Sequence, residues 1–344
     1  MNIKGRLISN EKPPYIIAEL SANHGGDLNT ALQSIKSAKQ CGADAIKIQT
    51  YTADSMTFNK NSIKINNGIW SGNSLYDLYK KAETPYDWHK SLFNFADKEN
   101  ITIFSSPFDE QAVDLLESIN CPAYKIASFE IVDIPLIKYV SKKNKPIIIS
   151  TGMASLEEIS EAVEAAKISS NSQIALLHCV SSYPAKSEDF NLNTIKFLKR
   201  EFNLPIGLSD HSIGINVPLS SIAIGACIIE KHFILDRKIQ TPDSSFSIIP
   251  EEFKELCDFS KSVWKSLGSE NIKRKKIEDD NKIYRRSLFF NCDLQKGEII
   301  TNNVIVKKRP NLGVSPKLID NIIGKKVNKN IKKYDPITLD LLDN

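Results

Sequence analysis

Eight short β-type runs, each ending in polar and chemically capable residues, leave this chain few folds to choose from. In order they read YIIAELSANH (15–24), AIKIQTYT (45–52), ITIFSSPF (101–108), AYKIASFE (123–130), PIIISTG (146–152), IALLHCVSSYP (174–184), PIGLSDHS (205–212) and CIIEKHF (227–233). Apolar runs of this length, bounded by turn signals, read as strands buried on both faces. Helix-period segments separate most of them, which predicts parallel pairing. Eight such units close into a (β/α)8 TIM barrel, an α/β fold whose chemistry gathers at the C-terminal strand ends. That end holds Glu19, Asn23, His24, Lys47, Gln49, Ser106, Lys125, Ser128, Glu130, Ser150, His178, Ser209, Asp210, His211, Glu230 and His232. Polar residues at the same end of every strand point to an enzyme.

Length and charge bound the alternatives. A barrel of about 250 residues fits within the 344 here and leaves room for a small second domain. We expect a barrel over 1–268, a charged linker with a helix over 269–286, and a separate β-rich domain over 287–344. A domain of ~60 residues buries little surface and is expected to lean on the barrel or on a partner subunit. The formal net charge of +4 argues against nucleic acid as the main partner, and KRKK (273–276) and KKRP (307–310) read as solvated linker and loop. No run approaches the roughly 18 apolar residues that span a bilayer, and the N-terminus does not read as a signal peptide. We therefore expect a cytoplasmic protein with no membrane partner. The six cysteines form no C-x-x-C pair and read as reduced, buried thiols. Adjacent strand residues face opposite ways, so His178 and Cys179 are not expected to act as a pair.

Between the strands, 29–42, 157–169, 191–202 and 250–268 carry helical spacing. Ser155 with Glu158 forms a capping-box pattern, and Pro250 and Gly268 bracket the last helix. One interval is long: residues 51–101 hold an insertion in which 56–70 read as a hairpin around an NNG turn and 74–82 as a short helix. Such a segment on the functional face of a barrel is either a lid and substrate wall or a structural decoration.

Three constellations carry chemistry. His211 and His232 end neighbouring strands, where neutral imidazoles can share one divalent cation and leave positions open for substrate and water. Glu230 or Asp210 could join them as ligand or supporting residue. The alternative is two hydrogen-bonded structural histidines, and the pattern leaves both open. Lys47, Lys125, Ser106, Ser128, Ser150 and Ser209 form a candidate cradle for a phosphate or carboxylate; a Schiff-base lysine is the competing reading. Glu19, followed by Asn23 and His24, could be a general acid or base, or simply the ion-pair partner of a lysine.

IIAELSANHGGDLNTAL, GADAIKIQTYTADSMT, FSSPFD, AYKIASFE, ISTGMAS, HCVSSYP, GLSDHS and EKHF, followed by YRRSL and KKRPNLGVSP, together resemble the sialic acid synthase family from Tyr15 to about Gly324. The resemblance implies a barrel with a C-terminal antifreeze-like (SAF) β-clip domain. It also implies condensation of phosphoenolpyruvate with an N-acylated amino sugar to give a nine-carbon 2-keto acid and phosphate, with C–O cleavage. AELSANH stands where neuraminate and legionaminate synthases carry E-I-G-x-N-H, and Ser181 where neuraminate synthases tend to carry Asn. These departures favour the branch that takes a 2,4-diacetamido-2,4,6-trideoxy hexose of altrose type over N-acetylmannosamine. By resemblance, His211 and His232 would bind manganese or magnesium, and Lys47, Ser106, Lys125, Ser128, Ser150 and Ser209 would hold phosphoenolpyruvate. Glu19 would sit beside the reacting centre, with Gln49, Glu130, Ser181, Tyr183 and Asp243 lining the site. Arg309 would reach from one subunit into the barrel of another, which implies a domain-swapped homodimer.

Three rivals remain in view. A lysine-dependent aldolase on the same barrel would need no metal and has no use for the second domain. A synthase acting on a phosphorylated sugar predicts a second, more basic pocket. An inactive barrel bearing a carbohydrate-binding module is disfavoured, because every expected site position holds a competent residue.

Overall fold

The computed structural model describes the chain except for positions 61, 170–172 and 344. It opens with a short antiparallel pair, β1 (Asn2–Ile3) and β2 (Arg6–Leu7). Eight parallel strands follow: β3 (Tyr15–Glu19), β4 (Ala45–Thr50), β5 (Thr102–Pro107), β6 (Tyr124–Ile126), β7 (Ile147–Ser150), β8 (Ile174–Cys179), β9 (Ile206–Asp210) and β10 (Ile228–His232). They close in the order β10-β3-β4-β5-β6-β7-β8-β9. Each strand is apolar for most of its length because helices cover its outer face and other strands its inner one.

Register sorts the inner face from the outer one. Glu19 pairs with Lys47, Lys47 with Phe104, Gln49 with Ser106, Lys125 with Ile148, Cys179 with Ser209, and Ser209 with Glu230. Paired residues of parallel strands share a face, so these side chains all enter the barrel. Tyr15, Ile17, Phe104, Ile148, Leu177 and Ile228, all fully buried, fill it below the polar end. Gly207 is obligatory there, since a Cβ would lie 2.4 Å from the Ile228 carbonyl and 2.6 Å from Leu177.

The connecting helices are α1 (Leu28–Cys41), α2 (Ala53–Met56), α3 (Leu75–Ala82), α4 (His89–Lys98), α5 (Glu110–Ser118), α6 (Ile134–Ser141), α7 (Leu156–Lys167), α8 (Thr194–Phe202), α9 (Asn216–Ala223) and α10 (Pro250–Leu267). Ser155 and Glu158 cap α7 reciprocally as expected, and Asp27 caps α1 by accepting from Asn29 and Thr30. In the insertion, α3 begins at its Ser74 cap, but the hairpin is shifted. The NNG turn is present, yet Ile63–Ile65 pair with residues 72–75 rather than with an arm starting near Met56, with a bridge between Lys64 and Ser74. Position 61, inside the expected hairpin, lies outside the described residues. Trp70, in the turn, is bonded outside the hairpin, to the Pro242 carbonyl.

By its contacts the chain divides into Met1–Gly268 and Ser269–Asn344. The second unit begins with two short 3-10 segments, Lys276–Glu278 and Asp280–Tyr284, in place of the expected helix; the stretch is charged, and its Ile272, Ile277, Ile283 and Tyr284 are exposed. Beyond it, β11 (Ser287–Phe290) pairs antiparallel with β12 (Ile305–Lys308). Isolated bridges such as Leu294 with Ile331 and Val327 with Leu342, and one helical turn, α11 (Ile319–Ile322), complete a small β-rich unit. Its own core is built on Leu288, Phe290, Ile300, Val327 and Ile337.

Candidate active site

Four buried charges stand at the C-terminal end of the barrel. Lys47 Nζ lies 2.8 Å from Glu19 Oε2 and 3.6 Å from Glu230 Oε1, and Lys125 Nζ lies 3.8 Å from Glu230 Oε1. Glu230 also accepts from Ser209 Oγ at 3.2 Å, and Lys47 donates to Ser106 Oγ at 3.2 Å. Gln49 Nε2 donates to Glu19 Oε1 at 3.0 Å and to Ser21 Oγ at 2.9 Å, fixing the carboxylate plane. Burial raises the Glu19 carboxyl, against the pull of Lys47. Burial also acts to lift Glu230, but Lys125 and Lys47 bring it below its ordinary value. Burial acts to lower both lysines. In Lys47 the two glutamates reverse the effect, and in Lys125 burial prevails. Two lysines and two glutamates cancel, so an anion entering here needs a further cation.

Of the five histidines, three are engaged outside the cavity. His24 accepts from the Gly26 N–H at 3.0 Å, His89 is bonded to Thr50 Oγ1 at 2.8 Å, and His178 to the Phe190 carbonyl. His211 and His232 face one another with ring centroids 5.3 Å apart. His211 Nδ1 sits 3.0 Å from the Val180 carbonyl. A carbonyl only accepts, so Nδ1 carries a proton, which leaves Nε2 as the nitrogen that would meet a cation. His232 Nδ1 is buried with no hydrogen bond, the nearest carboxylate being Asp243 Oδ2 at 3.6 Å. Burial, with His211 beside it, holds its pKa well below the usual value, so it is a neutral imidazole. Among the described residues no three His, Cys, Asp or Glu side chains converge on one point. Burial acts to lower the His211 pKa, but Cys179 and the Val180 carbonyl bring it above its ordinary value. A neutral His232 and the Nε2 of His211, once it gives up any proton, fit a divalent cation that draws its other ligands from substrate and water.

Around these groups lie polar atoms with nothing to bond. Ser150 Oγ, Ser181 Oγ, Glu130 Oε2, Glu230 Oε2 and His232 Nδ1 are all buried and unpartnered. A native interior rarely strands such atoms, because each costs about 1–3 kcal/mol; five in one place mark where a polar ligand binds. Gly152 makes the hydroxyl pair possible: a Cβ there would lie 2.3 Å from Ser181 Oγ and 2.7 Å from Ser128 Oγ, and its N–H donates to Ser128 Oγ at 3.2 Å. Burial lifts the Glu130 carboxyl to about 7.

These groups open into a cavity of ≈ 490 Å³, within the range of small-molecule sites. Its other wall is apolar and comes largely from the insertion: Met56, Ile65, Trp70, Leu75, Leu78 and Tyr79, with Tyr51, Phe108 and Phe129. Trp70 Nε1 donates to the Pro242 carbonyl at 2.7 Å, and its ring lies 5.1 Å from that of Tyr183, which in turn lies 4.4 Å from His211. The insertion is thus a wall of the cavity.

The structure brings together Glu19, Lys47, Gln49, Lys125, Ser128, Glu130, Ser150, Tyr183, Ser209, His211, His232 and Asp243 as lining residues. Ser106, level with Gln49 in the register, is fully buried and accepts from Lys47 without lining the cavity, and Ser181 Oγ lies against Gly152. Arg309 belongs to the second unit, where it is exposed. Asn23, at the first strand end, is turned to Phe233 and Ser247 and serves the fold. Asp210, considered as a metal partner, points out of the barrel to Lys231 at 2.6 Å, because it alternates with the inward Ser209 and His211. Glu230 sits between the two lysines rather than beside the imidazoles alone. Two contributors escaped the sequence. Cys179 does not meet His178, as expected, but faces His211 on the next strand at 3.9 Å; the pairing of β8 with β9 could have shown this. Trp70 carries only the weak signal of an aromatic residue in a glycine-rich turn.

Comparison with known proteins completes the picture. The NeuB family model matches residues 34–272 and the SAF domain model residues 285–343. A pseudaminic acid synthase from Helicobacter pylori is 46% identical over 96% of this chain and 98% of its own. One from Campylobacter jejuni subsp. jejuni serotype O:2 is 44% identical over 95% and 96%. Among solved structures, an N-acetylneuraminic acid (sialic acid) synthetase from Leptospira borgpetersenii serovar Hardjo-bovis, in complex with citrate, superposes with a TM-score of 0.75 at 37% identity, covering 82% of this chain and 94% of that one.

Proposed function

Because the chain belongs to the NeuB family, we propose that it is a pseudaminic acid synthase. It condenses phosphoenolpyruvate with a 2,4-diacetamido-2,4,6-trideoxy hexose of altrose type and water, giving pseudaminic acid and phosphate. The observation that carries this reading is the buried Lys47–Glu19–Glu230–Lys125 cluster beside two free imidazoles, in a cavity whose opposite wall is apolar. The named relatives at 44–46% identity support the branch. The apolar wall suits a sugar with a methyl at C6 and two acetamido methyls.

Lys47 and Lys125 bind the phosphate and carboxylate of phosphoenolpyruvate, with Ser150 and Ser209 as hydroxyl donors. The cluster's own charges cancel, so these anions stay strongly bound only with added positive charge. His211 and His232 would hold a divalent cation, manganese or magnesium, which supplies that charge and Lewis-acid polarisation of an aldehyde oxygen. Held in this order, C3 of phosphoenolpyruvate faces the aldehyde carbon of the open-chain sugar, and the new C–C bond leaves cationic character at C2. Glu19, its plane fixed by Gln49, takes a proton from the water that adds at C2. The C2–O bond to phosphate then breaks with its electron pair leaving on phosphate, the C2 hydroxyl gives its proton to that phosphate as it becomes the keto group, and the proton held by Glu19 passes to the alkoxide that the aldehyde oxygen has become. The partner's Arg309 completes the sugar end of the site in a domain-swapped homodimer. Among the described residues no helix is long and apolar enough to cross a membrane, and the reading places the enzyme in the cytoplasm.

Phosphate release from phosphoenolpyruvate, measured with metal-stripped protein, added manganese and a panel of mono- and diacetamido sugars, tests this. Turnover should need the metal and favour the diacetamido trideoxy sugars. Preference for N-acetylmannosamine would overturn the branch, and trapping by borohydride would point to the aldolase. The variant His211→Ala should lose turnover while keeping its circular dichroism spectrum; activity retained at saturating manganese would sink the metal assignment.

A further inference from the structure

We propose that the buried ion pair Asp210–Lys231, on the outer face of the barrel, sets the spacing of the two imidazoles and thereby the affinity of the metal site. The inference rests on the metal-dependent reading above. Asp210 precedes His211 and Lys231 precedes His232, so strand alternation puts the pair outside wherever the histidines are inside. Asp210 opposite Lys231 is the last position at which β9 pairs with β10. His211 lies beyond it, where no backbone ladder between these two strands holds its distance from His232.

The ion pair takes over that task. Lys231 Nζ donates to Asp210 Oδ2 at 2.6 Å and also to the Ser212 carbonyl. Asp210 Oδ1 accepts from the Ser212 N–H at 3.0 Å, and Oδ2 from Ser212 Oγ at 3.0 Å. The residues on both sides of His211 are therefore tied to the residue before His232. Both charged side chains are fully buried, at 0% exposure. Such a pair recovers little of its desolvation cost, and apolar residues of similar volume commonly stabilise a fold as well or better. What apolar packing cannot supply is a fixed distance between two strand ends. Asp210 and Lys231 are positioning residues, acting through His211 and His232.

The test compares wild type with the double variant Asp210→Leu/Lys231→Met, both metal-stripped. Manganese affinity is measured by calorimetric titration and stability by thermal unfolding without metal. We expect the double variant to unfold near the wild-type temperature but to bind manganese roughly 10- to 100-fold more weakly, as loss of supporting contacts around metal ligands typically does. Its activity should return as manganese is raised. Ser212→Ala, which removes one hydrogen bond and little else, should shift affinity the same way by a smaller factor, and it serves if the double variant does not fold. A role confined to stability would lower the unfolding temperature and leave the affinity of the folded protein unchanged, which overturns the proposal. Unaltered affinity in either folded variant alongside normal wild-type binding overturns this inference alone; no binding by the wild type overturns it together with the metal reading.

Discussion

Glu130 is the residue whose chemistry is most exposed to pH. Its carboxyl is pushed up to about 7 by burial, with Lys125 opposing the shift, and one oxygen has no partner. An unfolded chain ionises the same group at its ordinary 4.5. Below that value both states carry the proton and the group is neutral toward stability. Between 4.5 and about 7 the folded state binds more protons than the unfolded one, so stability falls as pH rises. Above about 7 both states are ionised and the loss is complete. Replacing Glu130 by Gln removes the ionisable proton and keeps the shape. We expect Glu130→Gln to match the wild-type unfolding temperature near pH 4.5 and to exceed it by several degrees at pH 8. A difference that does not grow with pH would show that Glu130 titrates normally. If the sugar supplies a hydrogen-bond donor to Glu130 Oε2, adding it should lower the group's pKa and reduce the gap.

At the scale of elements, the barrel was readable because its strands are buried on both faces: IIIS and IALLHC can be little else once helical segments flank them. The site was readable for a related reason. A parallel barrel has only one end at which Lys47, Lys125 and His232 can gather, so strand order and alternation suffice. What period-2 reasoning missed was set by side chains crossing between elements. Asp210 was considered for the metal because it adjoins His211, although alternation with the inward Ser209 already turns it outward, where it meets Lys231. The hairpin in the insertion was misplaced, and its Trp70 is held by Pro242, 172 residues away, a contact invisible to local pattern. That same contact turns the insertion from decoration into wall. The variant Trp70→Ala frees the loop from Pro242 and removes an aromatic surface beside Tyr183. We expect the KM for the amino sugar to rise roughly 10- to 100-fold, the range for lost apolar contact in a substrate pocket, while the KM for phosphoenolpyruvate changes little. Equal effects on both substrates would mean that the insertion supports the barrel rather than the sugar.

The whole molecule poses a problem of completeness. The barrel unit carries the metal-type histidines, the lysines and the glutamates, yet Arg309 lies exposed in a second unit with its own small core. A unit of this size is marginal by itself. In the swapped homodimer proposed above, one association would supply both its stability and an arginine for the barrel site, with each subunit lending its second unit to the other. That arrangement can be separated from a monomer by complementation. The variants His211→Ala and Arg309→Ala should each be nearly inactive. In a subunit that completes its own site, mixing them changes nothing. In a swapped dimer, a mixed pair holds one site with both defects and one site with none, since the barrel of the Arg309→Ala subunit then receives the intact arginine. Random reassortment makes half the dimers mixed, so about a quarter of all sites recover. We expect mixing after partial unfolding and refolding to restore activity toward that fraction, with sedimentation reporting a dimer throughout. Activity no higher than the sum of the two variants, with reassortment confirmed by differently tagged subunits, would assign Arg309 to its own barrel or to no site at all.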